Sequence, residues 1–322
     1  MWRSTSAITQ IPERMSDYRY IGRTDPGLVR DNNEDSFVAA RIDGTPMLLC
    51  AVVDGMGGYE GGEVAAAVAS EAIQSFVMTH LDEKPLDLVK MALTQANNAV
   101  FRRRRAEPRY PEMGCVASVA LIDTERRMAH IAHVGDTRIY LYGPEGLRKI
   151  THDHSLVGYM EDHQDITEFQ AMNHPQRNEV DRFLGDSLRE VGEDGFIESG
   201  IYPVPADGKL LLCSDGLTDM VTSREISDIL SSFEETATKA DMLVAAANSN
   251  GGKDNVTVVL AEFFQDPADI EPVVPATVSE DEEAVAEEDT GKRRTVPLWM
   301  LPAVLVLGLL LGYILGVFLP VF

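Results

Sequence analysis

The chain has 322 residues, of which 44% are hydrophobic, so it is long enough for one large domain or two ordinary ones. Its formal net charge of −24 argues against nucleic acid as a partner, because nucleic-acid-binding domains present clustered positive charge. Its three cysteines lie in apolar sequence, and none has an arginine at the Cys-x5-Arg spacing of a thiol phosphatase. We interpret them as buried, inert thiols in a reducing compartment.

Residues 1–17 are polar and form a predicted N-terminal extension, whereas residues 18–264 are predicted to be globular. Seven short runs predict strands: DSFVAARI, MLLCAVVD, GCVASVALI, MAHIAHVG, TRIYLYG, KLLLCSD and NVTVVLAEFF. Two helical patterns, GGEVAAAVASEAIQSFVMTHL and LDLVKMALTQANNAVFRRRRA, stand back to back, and SREISDILSS and TKADMLVAAANS form a later pair. Grouped strands and paired helices predict an α+β fold of packed layers rather than alternating βαβ units. The basic run at residues 102–105 is interpreted as a solvated helix end, where positive charge suits the helix dipole.

The C-terminal part of the chain has a different composition. Residues 265–295 are rich in Pro, Val, Ala and acids and predict a disordered acidic linker. Residues 296–322 carry no charged side chain, and a bilayer core needs ~20 apolar residues, so they predict a transmembrane helix. The basic triplet at residues 292–294 predicts that the chain before it stays in the cytoplasm. Glycines spaced four apart, at 308, 312 and 316, would share one face of this helix and permit weak dimerisation.

Three acids stand at the ends of predicted strands. Asp54 ends the apolar run MLLCAVVD and is followed by five glycines within eight residues; Asp215 ends KLLLCSD, and Asp254 precedes NVTVVLAEFF. Each acid alone is better explained by a turn than by a metal site. Three carboxylates at strand ends can, however, converge on one edge of a sandwich, and oxygen-only ligands suit Mg²⁺ or Mn²⁺ rather than zinc.

Two further segments are ambiguous by themselves. Arg30, Glu34 and Asp35 lie in GLVRDNNEDSF, and a mixed-charge segment of this kind is most often a solvated loop. Asp136 lies at a Gly turn in HVGDTRIYLY, where a β-hairpin explains it equally well.

The motifs VRDNNED, DGMGG, VGDTR, THDHSLV, CSDGL and GGKDNVT follow one another in an order that resembles the bacterial form of the metal-dependent Ser/Thr protein phosphatases of type 2C. The resemblance implies that residues 18–264 are a catalytic domain. It implies a four-layer α-β-β-α sandwich with a metal centre at one edge of the β-sandwich. It also implies hydrolysis of phosphoserine and phosphothreonine by a hydroxide that bridges two metal ions, Mn²⁺ or Mg²⁺. The segment ITEFQAMNHPQRNEVDRFLG is similar to the family's flap and the helix after it.

The resemblance implies roles for the acids at the strand ends. Asp54 would bridge two core ions and act as the central catalytic carboxylate, and the Gly55 carbonyl would bind one of the ions. Asp215 and Asp254 would hold the second ion.

The resemblance gives the ambiguous segments roles as well. Glu34 and Asp35 would lie near the core ions, directly or through water, and Asp136 would help to bind a third ion. Arg30 would bind the substrate phosphate. Met56 stands where many eukaryotic members carry histidine, so the general acid is left open. The histidines near the motifs, at 133, 152 and 154, are interpreted as structural.

These features predict a single-pass enzyme on the cytoplasmic face of a bacterial inner membrane. Its expected partners are phosphorylated proteins, among them a membrane-associated Ser/Thr kinase and its substrates. Three alternatives are a catalytically inactive scaffold that binds a phosphoprotein, a small-molecule phosphoesterase and a purely structural membrane protein. The last leaves the six motifs unexplained, and the first would be signalled by loss of a metal-binding Asp.

Overall fold

The computed structural model describes residues 18–57, 61–193 and 195–264. The predicted N-terminal extension, residues 1–17, and the predicted linker and membrane helix, residues 265–322, lie outside this part of the chain. None of the helices in the described part has the length and apolarity that crossing a bilayer requires.

The described residues form two five-stranded sheets in which all neighbours are antiparallel. In order across the first sheet lie β1 (Tyr18–Asp25), β10 (Val256–Phe263), β9 (Lys209–Cys213), β6 (Arg138–Gly143) and β7 (Gly146–Lys149). In order across the second lie β2 (Asp35–Arg41), β3 (Met47–Met56), β4 (Gly114–Asp123), β5 (Met128–Val134) and β8 (Glu198–Pro203).

Helices cover the outer face of each sheet. The helices α1 (Gly61–Thr79) and α2 (Pro85–Ala106) pack on the second sheet. The helices α5 (Asp215–Thr218), α6 (Ser223–Ser231) and α7 (Thr236–Ser249) pack on the first. Two further helices, α3 (Leu156–Asp162) and α4 (Glu168–Met172), lie in the connection between β7 and β8. Pro at the first position of α2 and a Thr222 capping box before α6 account for where these helices begin.

Strand β3 shows why its sequence is a continuous apolar run. Side chains alternate across a strand, and both faces of β3 are covered. Leu49 and Ala51 pack with α1 and α2, whereas Leu48 and Cys50 pack between the two sheets. The predicted α+β sandwich is confirmed, with two antiparallel sheets and helices on both outer faces.

Three strands that were not predicted from the sequence, β1, β7 and β8, are all edge strands. Their side chains are mostly half-buried or exposed, so the apolar pattern that marks a strand is weak in them.

The segment that is similar to the family's flap and the helix after it, residues 166–185, contains one helix in the structure, α4. Residues 173–185 follow α4 as turns and extended chain. Pro175 lies early in this stretch and is disfavoured inside a helix. The end of this stretch is extended because Leu184 pairs with Cys115 of β4. The Leu184 N–H donates to the Cys115 carbonyl at 2.7 Å, and the Cys115 N–H donates to the Leu184 carbonyl at 3.2 Å.

Candidate metal centre

The predicted acids gather at one end of the sandwich. Asp35 begins β2 and pairs directly with Asp54 near the end of β3. Asp215 begins α5 two residues after β9 ends, and Asp254 lies two residues before β10. Because β9 and β10 are antiparallel neighbours, with Cys213 opposite Val258, these last two acids lie at the same end of their sheet.

Asp136 reaches this end by a crossing between the sheets. It lies between β5 of the second sheet and β6 of the first, which do not pair, so the hairpin alternative is wrong. The preceding Gly135 has φ +108°, and a Cβ there would lie 2.1 Å from Val116 Cγ1. Only glycine fits this close crossing over β4.

The acids surround one open cavity of about 380 Å³. Seven of the residues singled out in the sequence line it, namely Arg30, Glu34, Asp54, Gly55, Asp136, Asp215 and Asp254. Asp35 does not line it but lies behind, where its Oδ2 accepts a hydrogen bond of 2.8 Å from Ser214 Oγ. A smaller adjoining cavity of about 30 Å³ shares Asp136 and Asp215 with the first and adds Asp219.

Burial and like charge act together on these carboxyls. Burial raises the pKa of Asp54 and of Asp215 well above the usual range, and the neighbouring carboxylates raise it further. Burial is also the main cause that raises the pKa of Asp35 and of Asp136 to about 7. A cluster of buried anions of this kind is unfavourable unless cations balance it. The donors are all oxygen atoms, so the residues present fit hard divalent cations.

Two arginines pair with acids of the site. Arg30 Nη2 lies 2.7 Å from Asp254 Oδ2, and the Arg30 side chain is 50% exposed at the cavity. Arg177 Nε lies 2.5 Å from Asp219 Oδ2. The guanidinium of Arg30 has five N–H donors, so the contact with Asp254 leaves donors for an anion in the cavity.

The glycine run after Asp54 brings backbone and carboxylate together. The Gly55 N–H donates to the Glu34 carbonyl at 3.1 Å. A Cβ on Gly55 would lie 2.1 Å from the Gly62 carbonyl oxygen, and one on Gly62 would lie 2.3 Å from Glu34 Oε2. Bare backbone at both positions therefore lets the start of α1 contact β3 and the Glu34 carboxylate.

Asn255 organises the site and was missed in the sequence. Its side chain, in a residue only 5% exposed, accepts from the Glu34 N–H at 2.8 Å and donates to the carbonyls of Pro26 and Asn32 at 3.0 and 2.9 Å. Its own N–H donates to Asp254 Oδ1 at 2.8 Å. It thus holds the segment that carries Arg30 and Glu34 against the start of β10. Its only signal in the sequence is a polar residue directly after Asp254.

A second group of potential ligands lies beneath the Asp136 loop. The side chains of His133, His154 and Glu198 have ligand atoms within 4.8 Å of one another. Both ring nitrogens of His133 already make hydrogen bonds of 2.9 Å, to Ser118 Oγ and to the Gly135 carbonyl. His154 Nδ1 accepts from the Gly135 N–H at 3.1 Å. These contacts support the structural interpretation of both histidines.

The cysteines offer no nucleophile. All three are buried, and burial raises the pKa of Cys50 and of Cys213 to about 12. Burial also raises the pKa of Cys115. The thiolate is the nucleophilic form, so these thiols are unreactive.

The chain is similar to known phosphatases. A family model described as protein phosphatase 2C matches residues 29–249. The serine/threonine phosphatase stp of Listeria monocytogenes is 36% identical over 247 residues, which cover 74% of this chain and 94% of that protein. The serine/threonine protein phosphatase PstP of Mycobacterium tuberculosis is 34% identical over 282 residues, 86% of this chain and 51% of PstP.

Solved structures agree with the sequence relatives. The crystal structure of the M. tuberculosis phosphatase PstP/Ppp has a TM-score of 0.67 and 33% identity, covering 77% of this chain and 99% of that one. The PstP catalytic domain in complex with 2 manganese ions has a TM-score of 0.65 and 32% identity, with the same coverage. The chain therefore belongs to the protein phosphatase 2C family, a family of phosphoprotein phosphatases.

Proposed function

We propose that the chain is a Mn²⁺- or Mg²⁺-dependent protein phosphatase that hydrolyses phosphoserine and phosphothreonine. The observation that carries the proposal is the convergence of buried carboxylates from separate strand ends around one open cavity beside Arg30. The family match and the two manganese ions in the PstP catalytic domain support it.

Asp54, the Gly55 carbonyl, Asp215 and Asp254 would hold the two core ions. Asp136 would hold a third together with Asp215, since both line the smaller adjoining cavity. When bound, such ions balance the phosphate charge and lower the pKa of the water molecule that attacks phosphorus.

The other residues of the site bind and orient. Arg30 would bind the phosphate through paired N–H donors, a geometry that lysine cannot reproduce. Asp254 holds Arg30 at the cavity wall. Asp35, through Ser214 Oγ, fixes the turn from β9 that presents Asp215. Met56 lines the cavity and has no proton to donate, so the general acid is not a side chain at that position.

The metal assignments predict the effect of removing each carboxylate. The full chain in detergent should release phosphate from a phosphothreonine peptide only when Mn²⁺ or Mg²⁺ is present. Asp54→Asn, Asp215→Asn and Asp254→Asn should each lower kcat/KM by more than about a hundredfold, because each removes a metal ligand. Asp136→Asn should lower kcat/KM by a smaller factor, since Asp136 is assigned to the third ion.

Asp82→Asn, on the exposed connection between α1 and α2, is the matched control and should change nothing. If one of the variants at Asp54, Asp215 or Asp254 kept wild-type activity under limiting Mn²⁺, the substituted residue would not be a metal ligand. Turnover that persists in chelator would contradict the metal-dependent mechanism itself.

The raised pKa of Asp215 predicts a stability effect that is independent of turnover. The Asp215 carboxyl has a higher pKa in the folded than in the unfolded state, so it stabilises the fold at low pH. This contribution to the free energy of unfolding is lost as pH rises through the folded-state pKa. In chelator, Asp215→Asn should therefore melt above the wild type, and by more at about pH 7.5 than at about pH 5. Added Mn²⁺ should raise the Tm of the wild type but hardly that of the variant. If the Tm of the variant exceeded that of the wild type equally at both pH values, the charge of Asp215 would not destabilise the folded state.

The assignment of Arg30 predicts a binding defect. Arg30→Lys should raise KM for a phosphothreonine peptide by about tenfold, because one ammonium replaces a bidentate guanidinium. Arg126→Lys, in the exposed turn after β4, keeps its charge and should leave KM unchanged. Equal effects of the two substitutions would contradict the phosphate-binding role.

The C-terminal assignments rest on the sequence alone. We propose that residues 265–295 form a flexible acidic linker and that residues 296–322 form a single-pass anchor in a bacterial inner membrane. Such an anchor would raise the effective concentration of the enzyme toward membrane-associated phosphoproteins, including a membrane-associated Ser/Thr kinase and its substrates. Weak dimerisation through the glycine face of the anchor belongs to the same proposal.

The anchor proposal predicts how the full chain fractionates. It should sediment with membranes, resist high-salt and alkaline washes and be released by detergent. The charged variant Leu309→Arg/Leu310→Arg should move to the supernatant, because each arginine near a helix centre costs about 3 kcal/mol on insertion. A wild-type chain that the alkaline wash releases would contradict the anchor.

A further inference from the structure

Five arginines lie within eight residues at the end of α2 and just after it. We call Arg102, Arg103, Arg104, Arg105 and Arg109 the arginine rim. The whole chain has 52 acidic and 28 basic residues, yet the segment from 102 to 109 contains a single acid, Glu107. The helix dipole accounts for basic residues in the last turn of α2, but not for Arg109 beyond it.

Little of this charge is neutralised within the described residues. Glu107 pairs with Arg103 at 2.6 Å and with Arg109 at 3.0 Å, and those arginine side chains are 46% and 67% exposed. Arg102 and Arg105 are exposed, and neither forms an ion pair with any residue that the structure describes. The segment therefore presents a net charge of +4, five arginines less one glutamate, on a strongly acidic protein.

The arginine rim adjoins the mouth of the catalytic cavity. Arg104 Nε donates to the Pro111 carbonyl at 2.7 Å. The next residue, Glu112, touches the cavity wall, since a Cβ on Gly57 would lie 2.6 Å from its carbonyl oxygen and Gly57 lines the cavity. The chain then enters β4 at Gly114, opposite Met56.

The segment around Arg30 has a different character. Leu28 and Val29 are 68% and 66% exposed beside Arg30, and both are apolar. The cavity between the two segments is lined with carboxylates. A substrate chain that leaves the cavity over Gly57 therefore meets positive charge, and one that leaves over the Arg30 segment meets apolar side chains.

We propose that the arginine rim binds aspartate and glutamate side chains that flank the phosphorylated residue of a substrate. This inference rests on the proposed phosphatase function and names its substrate class, phosphoproteins whose sites lie in acidic sequence. The arginines offset the repulsion between an acidic segment and the carboxylates of the site and speed productive encounter. Because they are exposed, salt screens their effect.

The test compares three phosphothreonine peptides of equal length, flanked by Asp/Glu, by Asn/Gln or by Lys. At low ionic strength the wild type should prefer the acidic peptide to the neutral one by about three- to tenfold in kcat/KM, the effect of two or three exposed charge pairs. The ratio of kcat/KM for the acidic peptide to that for the neutral peptide should fall close to one in Arg102→Gln/Arg105→Gln, and also for the wild type in high salt. Turnover of p-nitrophenyl phosphate, which has no flanking residues, should be the same in wild type and variant.

Arg126→Gln/Arg148→Gln is the matched control. It removes the same charge from the turn after β4, at the end of that strand far from Gly114, and from the edge strand β7. It should keep the preference for the acidic peptide. No acidic preference in the wild type, or an undiminished one in Arg102→Gln/Arg105→Gln, would overturn the proposal.

Peptide binding separates this proposal from the proposed function. Fluorescence anisotropy of the labelled phosphopeptides on Asp54→Asn should show the acidic preference without turnover, and the added Gln substitutions should abolish it. Equal binding of acidic and neutral peptides there overturns the arginine rim alone. If the wild type showed no Mn²⁺-dependent turnover while Asp54→Asn still bound the acidic peptide preferentially, only the catalytic proposal would be overturned.

Discussion

Asp54, Asp136 and Asp215 line one cavity, where burial and neighbouring carboxylates raise the pKa of each. Gathering acids in this way destabilises the folded chain, because the buried carboxylates repel one another. Apolar packing elsewhere in the domain must offset this cost in free energy. Three clusters of buried residues supply that packing, one under each helical layer and one between the sheets. The layered architecture is thus the support for an acidic centre that is complementary to divalent cations.

The geometry of a sandwich explains why such a centre forms at the ends of strands. Backbone within a sheet is fully paired, whereas loops at its end expose carbonyls and carry side chains that converge. Asn255 uses this freedom, because one buried amide side chain joins the segment of Arg30 and Glu34 to the start of β10. Two loops of the site that are far apart in the sequence are therefore held together by one side chain.

The arginines of the domain act in distinct ways. Arg138 is nearly buried and donates to Asp153 and Glu161, which ties β6 to helix α3. Ser155 caps that helix, so the motif THDHSLV has a structural explanation. Arg30 faces the cavity, and the arginine rim lies outside it. Burial and partners, rather than residue type, separate an arginine that braces the fold from one that is placed to bind a ligand.

Much of the layered fold is predictable because its elements are locally encoded. The helices α1, α2, α6 and α7 carry apolar residues at helical spacing, and the central strands β3, β4, β9 and β10 are largely apolar runs. The edge strands β1, β7 and β8 were missed because pairing with a neighbour, more than their own sequence, makes them strands. Asn255 was missed for a similar reason, since a single polar residue carries no period.

By itself the sequence determined the order of the elements, the supply of acids at the strand ends and the resemblance to a phosphatase family. Each of these is written in the residue types and their spacing along the chain. Only the tertiary structure decided that Asp136 crosses between the sheets, that Asp35 lies behind the cavity and that the arginine rim adjoins its mouth. The physical reason is that electrostatic energy depends on distance and burial in three dimensions, and residues far apart in the sequence acquire both only when the chain folds.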